Sequence, residues 1–172
     1  MRWLVVLLIA SASLLASCQE SSWVLGVNNT DSNMFLQVAA ANGEVTMYNA
    51  NLTGDQENPP TGSSATGVAK FHLMHDGSIR WSLRTTGLDS VIAAHIHAGI
   101  PGQNGPIIVP LFGGGPTTDL NIRGEITDSD QVAAVLALFQ ADSAYVNVHT
   151  TTFTGGEIRG QIEPRETGGG QP

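Results

Sequence analysis

Residues 67–88, GVAKFHLMHDGSIRWSLRTTGL, alternate apolar and polar side chains on both sides of an Asp-Gly pair. In an extended chain, successive side chains point to opposite faces. Once the chain doubles back, Phe71 and Leu73 share a face with Ile79, Trp81 and Leu83, while Lys70, His72, Arg80, Ser82 and Arg84 face the other way. A ribbon with one apolar face must lay that face on something. Asp76-Gly77 supplies a turn pair that tolerates positive φ, so the segment predicts a hairpin within a sheet buried on one side.

The same period recurs elsewhere. EVTMYNANL (44–52) sets Val45, Met47 and Asn49 against Thr46, Tyr48 and Ala50, and further strands are expected at about 91–98, 106–112, 120–127, 144–150 and 156–163. MFLQVAA (34–40) is a weaker candidate for a first strand. One segment departs from this rhythm: TDSDQVAAVLALFQAD (127–142) places Val132, Val135, Leu136 and Phe139 at helical spacing, and Asp128 with Gln131 resembles a capping pair. Short strands, Gly-rich turns and a single helix predict an all-β fold, an antiparallel Greek-key sandwich or barrel with one short helix across an end.

The N-terminus reads differently. MRWLVVLLIASASLLASC (1–18) has one basic residue, an apolar run too short to span a bilayer, and small residues ending at the only cysteine of the chain. Leu15-Ala16-Ser17-Cys18 resembles a bacterial lipobox, in which the cysteine becomes the lipidated first residue. The expected organisation is a lipoprotein signal peptide over 1–17, a lipid-anchored tether over 18–43, a β-domain over 44–164 and a disordered tail over 165–172. Lipidation at Cys18 would anchor the protein outside the cytoplasm, on the cell envelope, with the membrane as a partner through its N-terminal lipid. Gln19 does not look like an inner-membrane retention signal, which points to the outer membrane in a Gram-negative cell. With Cys18 modified, neither a disulfide nor a thiolate ligand is available. A formal charge of −8, with 7 Lys and Arg in total, leaves no basic patch expected for nucleic acid.

The chemistry-bearing residues are histidines. In VIAAHIHAG, His95 and His97 stand two apart and share a strand face, with Ala94 and Ile96 on the other. In YVNVHT, Tyr145, Asn147 and His149 share one face and Val146 and Val148 the opposite one. The branched aliphatics mark the core side of both strands, so all three imidazoles are expected off the apolar core. Were the two strands neighbours, about 4.8 Å apart, His95, His97 and His149 could converge on one ion. Three imidazoles without a thiolate suit Cu(II) or Zn(II), with copper favoured by intrinsic affinity. The fourth position could be water, Glu57 or a residue on the His149 face such as Tyr145. The competing expectation is that the histidines only hydrogen-bond the Gly-Pro loop 99–106 and fix its shape. His72 and His75 flank the hairpin turn and are expected at the surface. No G-x-S-x-G elbow is present, and the GGGP run at 113–116 lacks the Lys and Ser/Thr of a phosphate loop.

Three blocks, LTGDQENPP, AHIHAGIPGQNGPIIVPLF and YVNVHTTTFTGGEIRGQI, in this order resemble the CHRD domain, which is named from chordin and also occurs in microbial secreted proteins. The resemblance runs from about Glu44 to Glu163. It departs at Asn58, where the family often has an apolar residue, and at Phe153-Thr154, which replaces a more usual Asn-Pro. The histidines and Glu57 match. The resemblance implies an all-β extracytoplasmic module, and chordin's binding of growth factors suggests protein interaction. The H-x-H strand is also similar to the copper strand of Cu/Zn superoxide dismutase. That enzyme's dinuclear site uses more histidines than the 5 in this chain, and it has a disulfide that one cysteine cannot form. Three functional expectations follow: a lipid-anchored metal-binding β-module; a metal-free module binding a protein or polysaccharide through the 99–106 and 150–156 loops; and a copper redox enzyme.

Overall fold

The computed structural model describes residues 47–165. The expected signal peptide, Cys18, the tether, the MFLQVAA segment, residues 44–46 and residues 166–172 lie outside the described residues. Within them the chain runs β1 (Met47–Thr53), a 3-10 turn (Gly54–Gln56), β2 (Thr66–Leu73), β3 (Ile79–Thr86), β4 (Val91–Ala98), β5 (Ile107–Thr117), β6 (Asn121–Ile126), α1 (Ser129–Gln140), β7 (Ala144–Thr150), β8 (Ile158–Gln161) and β9 (Glu163–Pro164).

The strands form one antiparallel sheet in the order β5-β4-β7-β8-β1-β2-β3-β6, with β9 beside β1. β5 and β6 follow each other in sequence yet end the order at opposite edges. The sheet curls into a nearly closed barrel, and the β3–β4 and β6–β7 connections cross between its ends in Greek-key fashion. Side chains from both halves of the order, among them Phe71, Leu83, Ile96 and Val146, meet in one core.

The β2–β3 hairpin has the expected register, with Phe71 opposite Trp81 and Leu73 opposite Ile79. Gly77 adopts φ 84°, and Ser78 N–H and Oγ both donate to Asp76 Oδ1. Helix α1 begins where Asp128 Oδ1 accepts from the Gln131 N–H at 2.9 Å. It buries Val132, Val135, Leu136 and Phe139. The Phe139 ring packs 5.1 Å from those of both Tyr48 and Phe71, which joins the helix to the core.

Three features differ from the sequence reading. β5 continues to Thr117 through Gly113–Gly115, because backbone pairing with β4 needs no side-chain alternation. Arg165, placed with the tail, donates its N–H to the Met47 carbonyl at 2.9 Å. β7 is buried at every position, on both faces. On its second face Tyr145 meets Gly105, Asn147 meets Glu57 and His149 meets Thr154, so the histidine side of the strand is covered by polar structure.

Candidate metal centre

β4 and β7 are adjacent, with His95 opposite Asn147, His97 opposite Tyr145 and Ala93 opposite His149. Because Ala94, Ile96, Val146 and Val148 all turn inward and are fully buried, the alternating residues face the loops. His95, His97 and His149 therefore come together on one face. Each offers a ring nitrogen, and the three nitrogens lie within 4.8 Å of one another. His95 is half-buried, while His97 and His149 are both buried.

Two of the three imidazoles have a fixed tautomer. His97 Nδ1 lies 2.9 Å from the Gly105 carbonyl oxygen and His149 Nδ1 lies 3.0 Å from that of Thr154. A carbonyl only accepts, so each Nδ1 carries the hydrogen and each Nε2 keeps its lone pair. His149 Nε2 therefore accepts from His95 Nδ1 at 3.1 Å, a hydrogen bond that a cation held at these two nitrogens would replace, with the His95 proton moved to its Nε2. His97 Nε2 is buried and has no hydrogen-bond partner. Such an orphan acceptor is costly unless something else occupies its lone pair.

Electrostatics holds the cluster neutral. Burial lowers the His95 pKa to about 4, and the neighbouring His149 and His97 push the same way. Burial also lowers His97 and His149, against the opposing effect of their carbonyl hydrogen bonds. Neutral imidazoles are the form that ligates a cation.

A buried polar layer supports the cluster. The Tyr145 ring stacks on His97 at 4.9 Å and 13°, and its hydroxyl accepts the Gly105 N–H at 3.1 Å. The Arg159 guanidinium lies 3.5 Å above the other face of that layer, over the Tyr145 ring. Arg159, 1% exposed, donates to the carbonyls of Ile100 and Gln103 and to Asn104 Oδ1. It thereby fastens the 99–106 loop that presents Gly105 to His97. A Cβ on Gly105 would overlap the Ala98 carbonyl oxygen, so no other residue fits there without moving the loop.

Glu57 sits on the same side of the sheet but outside the convergent trio. Its Oε1 accepts from Asn147 Nδ2 at 2.7 Å. Burial raises its pKa to about 7, although the Arg159 guanidinium and the Asn58 N–H both favour the ionised form. Gly156, at φ 129°, passes so close that a Cβ would collide with Asn147 and Glu57 Oε1. Tyr145, the other candidate fourth ligand, has its hydroxyl engaged with Gly105. His72 and His75 are exposed, away from the cluster.

Arg159 escaped the sequence reading. An Arg flanked by Ile158 and Gly160 in an alternating strand looks like a solvent-facing residue. The one available signal is that its partner strand already carries Tyr145, Asn147 and His149 on the matching face. Gly105 was expected only as part of the 99–106 loop and Thr154 not at all, because both act through backbone carbonyls, which every residue has.

Fold and site together define a small antiparallel β-barrel domain with a polar, three-histidine centre beneath a fastened loop. Residues 48–162 match the CHRD domain family model, and the chain belongs to that family. No curated protein and no solved structure matches it.

Proposed function

We propose that this CHRD-domain protein is a lipid-anchored, extracytoplasmic metal-binding module. It holds one Cu(II) or Zn(II) ion through His95, His97 and His149, copper being preferred. The observation that carries the reading is the buried, unpartnered Nε2 of His97, one of three neutral imidazoles whose nitrogens lie within 4.8 Å. An ion would satisfy that lone pair directly. The loop carbonyls would play the outer role usual for ligating histidines, fixing each tautomer through Nδ1. Two nitrogens 3.1 Å apart, each about 2.0–2.1 Å from a shared ion, subtend about 95–100° there. That angle lies between the square-planar and tetrahedral ideals, so the preference for copper rests on affinity order and on the all-nitrogen donor set. The half-buried His95 leaves a side for water or an exogenous ligand. Metal sequestration, delivery or protection at the cell surface would suit such a site, and anchoring through Cys18 would keep it there.

The test is metal content after loading and dialysis. The full-length chain, free of any added histidine tag, should retain one copper or zinc per molecule. His97→Ala should weaken binding by at least a hundredfold, and the His95/His97/His149 triple alanine variant should retain none. Equal retention by parent and triple variant would remove the proposal.

A second reading, a recognition module working through its loops, draws on one specific observation. Ile100 and Ile107, at the two ends of the fastened loop, are 46% and 53% exposed. Partner capture that survives replacement of residues 99–106 would dispose of it.

A further inference from the structure

The sheet sorts the charges of this acidic chain by face. On the outward side of β2, β3 and β6, Lys70, Arg80, Arg84 and Arg123 are all exposed. Register aligns them: Lys70, Ser82 and Arg123 form one cross-strand row, and His72, Arg80 and Glu125 the next. Arg80 pairs with Glu125 at 3.1 Å. Lys70, Arg84 and Arg123 make no ion pair among the described residues. A formal charge of −8 over the whole chain makes three unpaired, clustered cations a local exception, and within about 8–10 Å of the surface local charges dominate.

The face is also concave. A depression of about 690 Å³ is lined by Lys70, Arg80, Ser82 and Arg123 among others. A second, of about 320 Å³, lies in the adjacent rows of the same face and is lined by Thr66, Val68, Arg84, Thr86, Asn51 and Thr53 among others. Side by side along β2, from Thr66 to His72, the two depressions form a trough of about 20 Å at roughly 3.3 Å per residue. Hydroxyl and amide groups alternate with the cations along it. Val68, opposite Arg84 and 39% exposed, adds a small apolar platform.

We propose that this trough binds an extended acidic polysaccharide, with carboxylates meeting Lys70, Arg84 and Arg123, hydroxyls meeting Ser82, Thr66 and Thr86, and a sugar face resting on Val68. Lys70 and Arg123 flank Ser82 in one cross-strand row and Arg84 stands in the next, beside apolar surface from Val68 and Trp81, so charge and a flat apolar patch are offered together, as a carboxylated sugar chain requires. The exposed hydroxyls of Thr66, Ser82 and Thr86 beside the cations suit a polyanion that carries free sugar hydroxyls between its charges, and DNA, which lacks them, is the contrasting polyanion in the test. The trough lies on β1, β2, β3 and β6 and uses none of the histidines of the metal centre, so it stands apart from the proposed metal function.

The test is calorimetric titration of the full-length chain with polygalacturonate, beside dextran, single-stranded DNA and poly-glutamate. Saturable binding to polygalacturonate is expected, with none to dextran and at least tenfold weaker binding to DNA and poly-glutamate. The Arg84→Gln/Arg123→Gln double variant should lose at least tenfold in affinity. Ser82→Trp, which fills the trough at constant charge, should lose as much. All substituted positions are exposed, and unchanged circular dichroism would verify folding. No binding by the unaltered chain, full affinity in either variant, or equal affinity for DNA or poly-glutamate would each overturn the proposal.

Discussion

Burial drives Glu57 and His95 toward their neutral forms, and the two shifts act on stability with opposite signs. Glu57 ionises near 4.5 when unfolded and about 7 when folded. Between those values the folded state holds a proton that the unfolded state has released, so stability falls as pH rises through the window. His95 moves from 6.5 to about 4. There the unfolded state holds the extra proton, so its contribution is present above 6.5 and is lost as pH falls toward 4. Glu57→Gln isolates the first effect, since glutamine still accepts from Asn147 and carries no charge to desolvate. The variant should gain stability relative to the parent as pH rises from 4.5 to 8, measured by urea unfolding at both ends. A constant difference would contradict the account. Its metal stoichiometry should be unchanged, because Glu57 stands outside the trio. Much at this scale was legible in sequence. The shared face of His95 and His97 follows from strand geometry alone, and so does the inward turn of Val146 and Val148. The burial of Arg159 did not follow, since what covers a polar face is decided by loops distant in sequence.

At the scale of elements, the 99–106 loop determines the chemistry that β4 can do. Arg159 holds three of its oxygens, Tyr145 accepts its Gly105 N–H, and Gly105 in turn fixes the His97 tautomer. The expectation that the histidines shape this loop and the expectation that they converge describe the same hydrogen bonds. Nδ1 serves the loop while Nε2 is left over. Gly105→Ala removes no ligand atom but displaces the loop from Ala98. Outer-sphere losses of this kind cost about 10–100-fold in metal affinity. Competition titration against a chelator should find that drop with the stoichiometry intact, and parental affinity would show that the loop plays no part. Elements with strong local patterns, the β2–β3 hairpin and α1, were readable from period and caps. The far end of β5 was not, because Gly113–Gly115 pair through backbone groups that leave no trace in a hydropathy pattern.

For the molecule as a whole, the decisive fact is the adjacency of β4 and β7, separated by two strands and a helix in sequence. No local periodicity encodes that pairing. It comes from the Greek-key closure of the barrel, and the CHRD match over residues 48–162 fits a domain built around it. The β2–β3 hairpin and the β3–β6 pairing collect Lys70, Arg84 and Arg123 on one outer face, so a chain whose charge total suggested no basic patch presents a cationic trough. A total carries no information about which residues alternate outward. The two proposed capacities occupy separate parts of one barrel, the ion centre on β4 and β7 and the glycan trough on β1, β2, β3 and β6. The first is central, and X-ray absorption of the copper-loaded full-length chain tests it most directly. The account predicts three imidazole ligands with nitrogens at about 2.0 Å, falling to two in His97→Ala. A first shell of oxygen donors with one imidazole or none, unaltered in the variant, would contradict it.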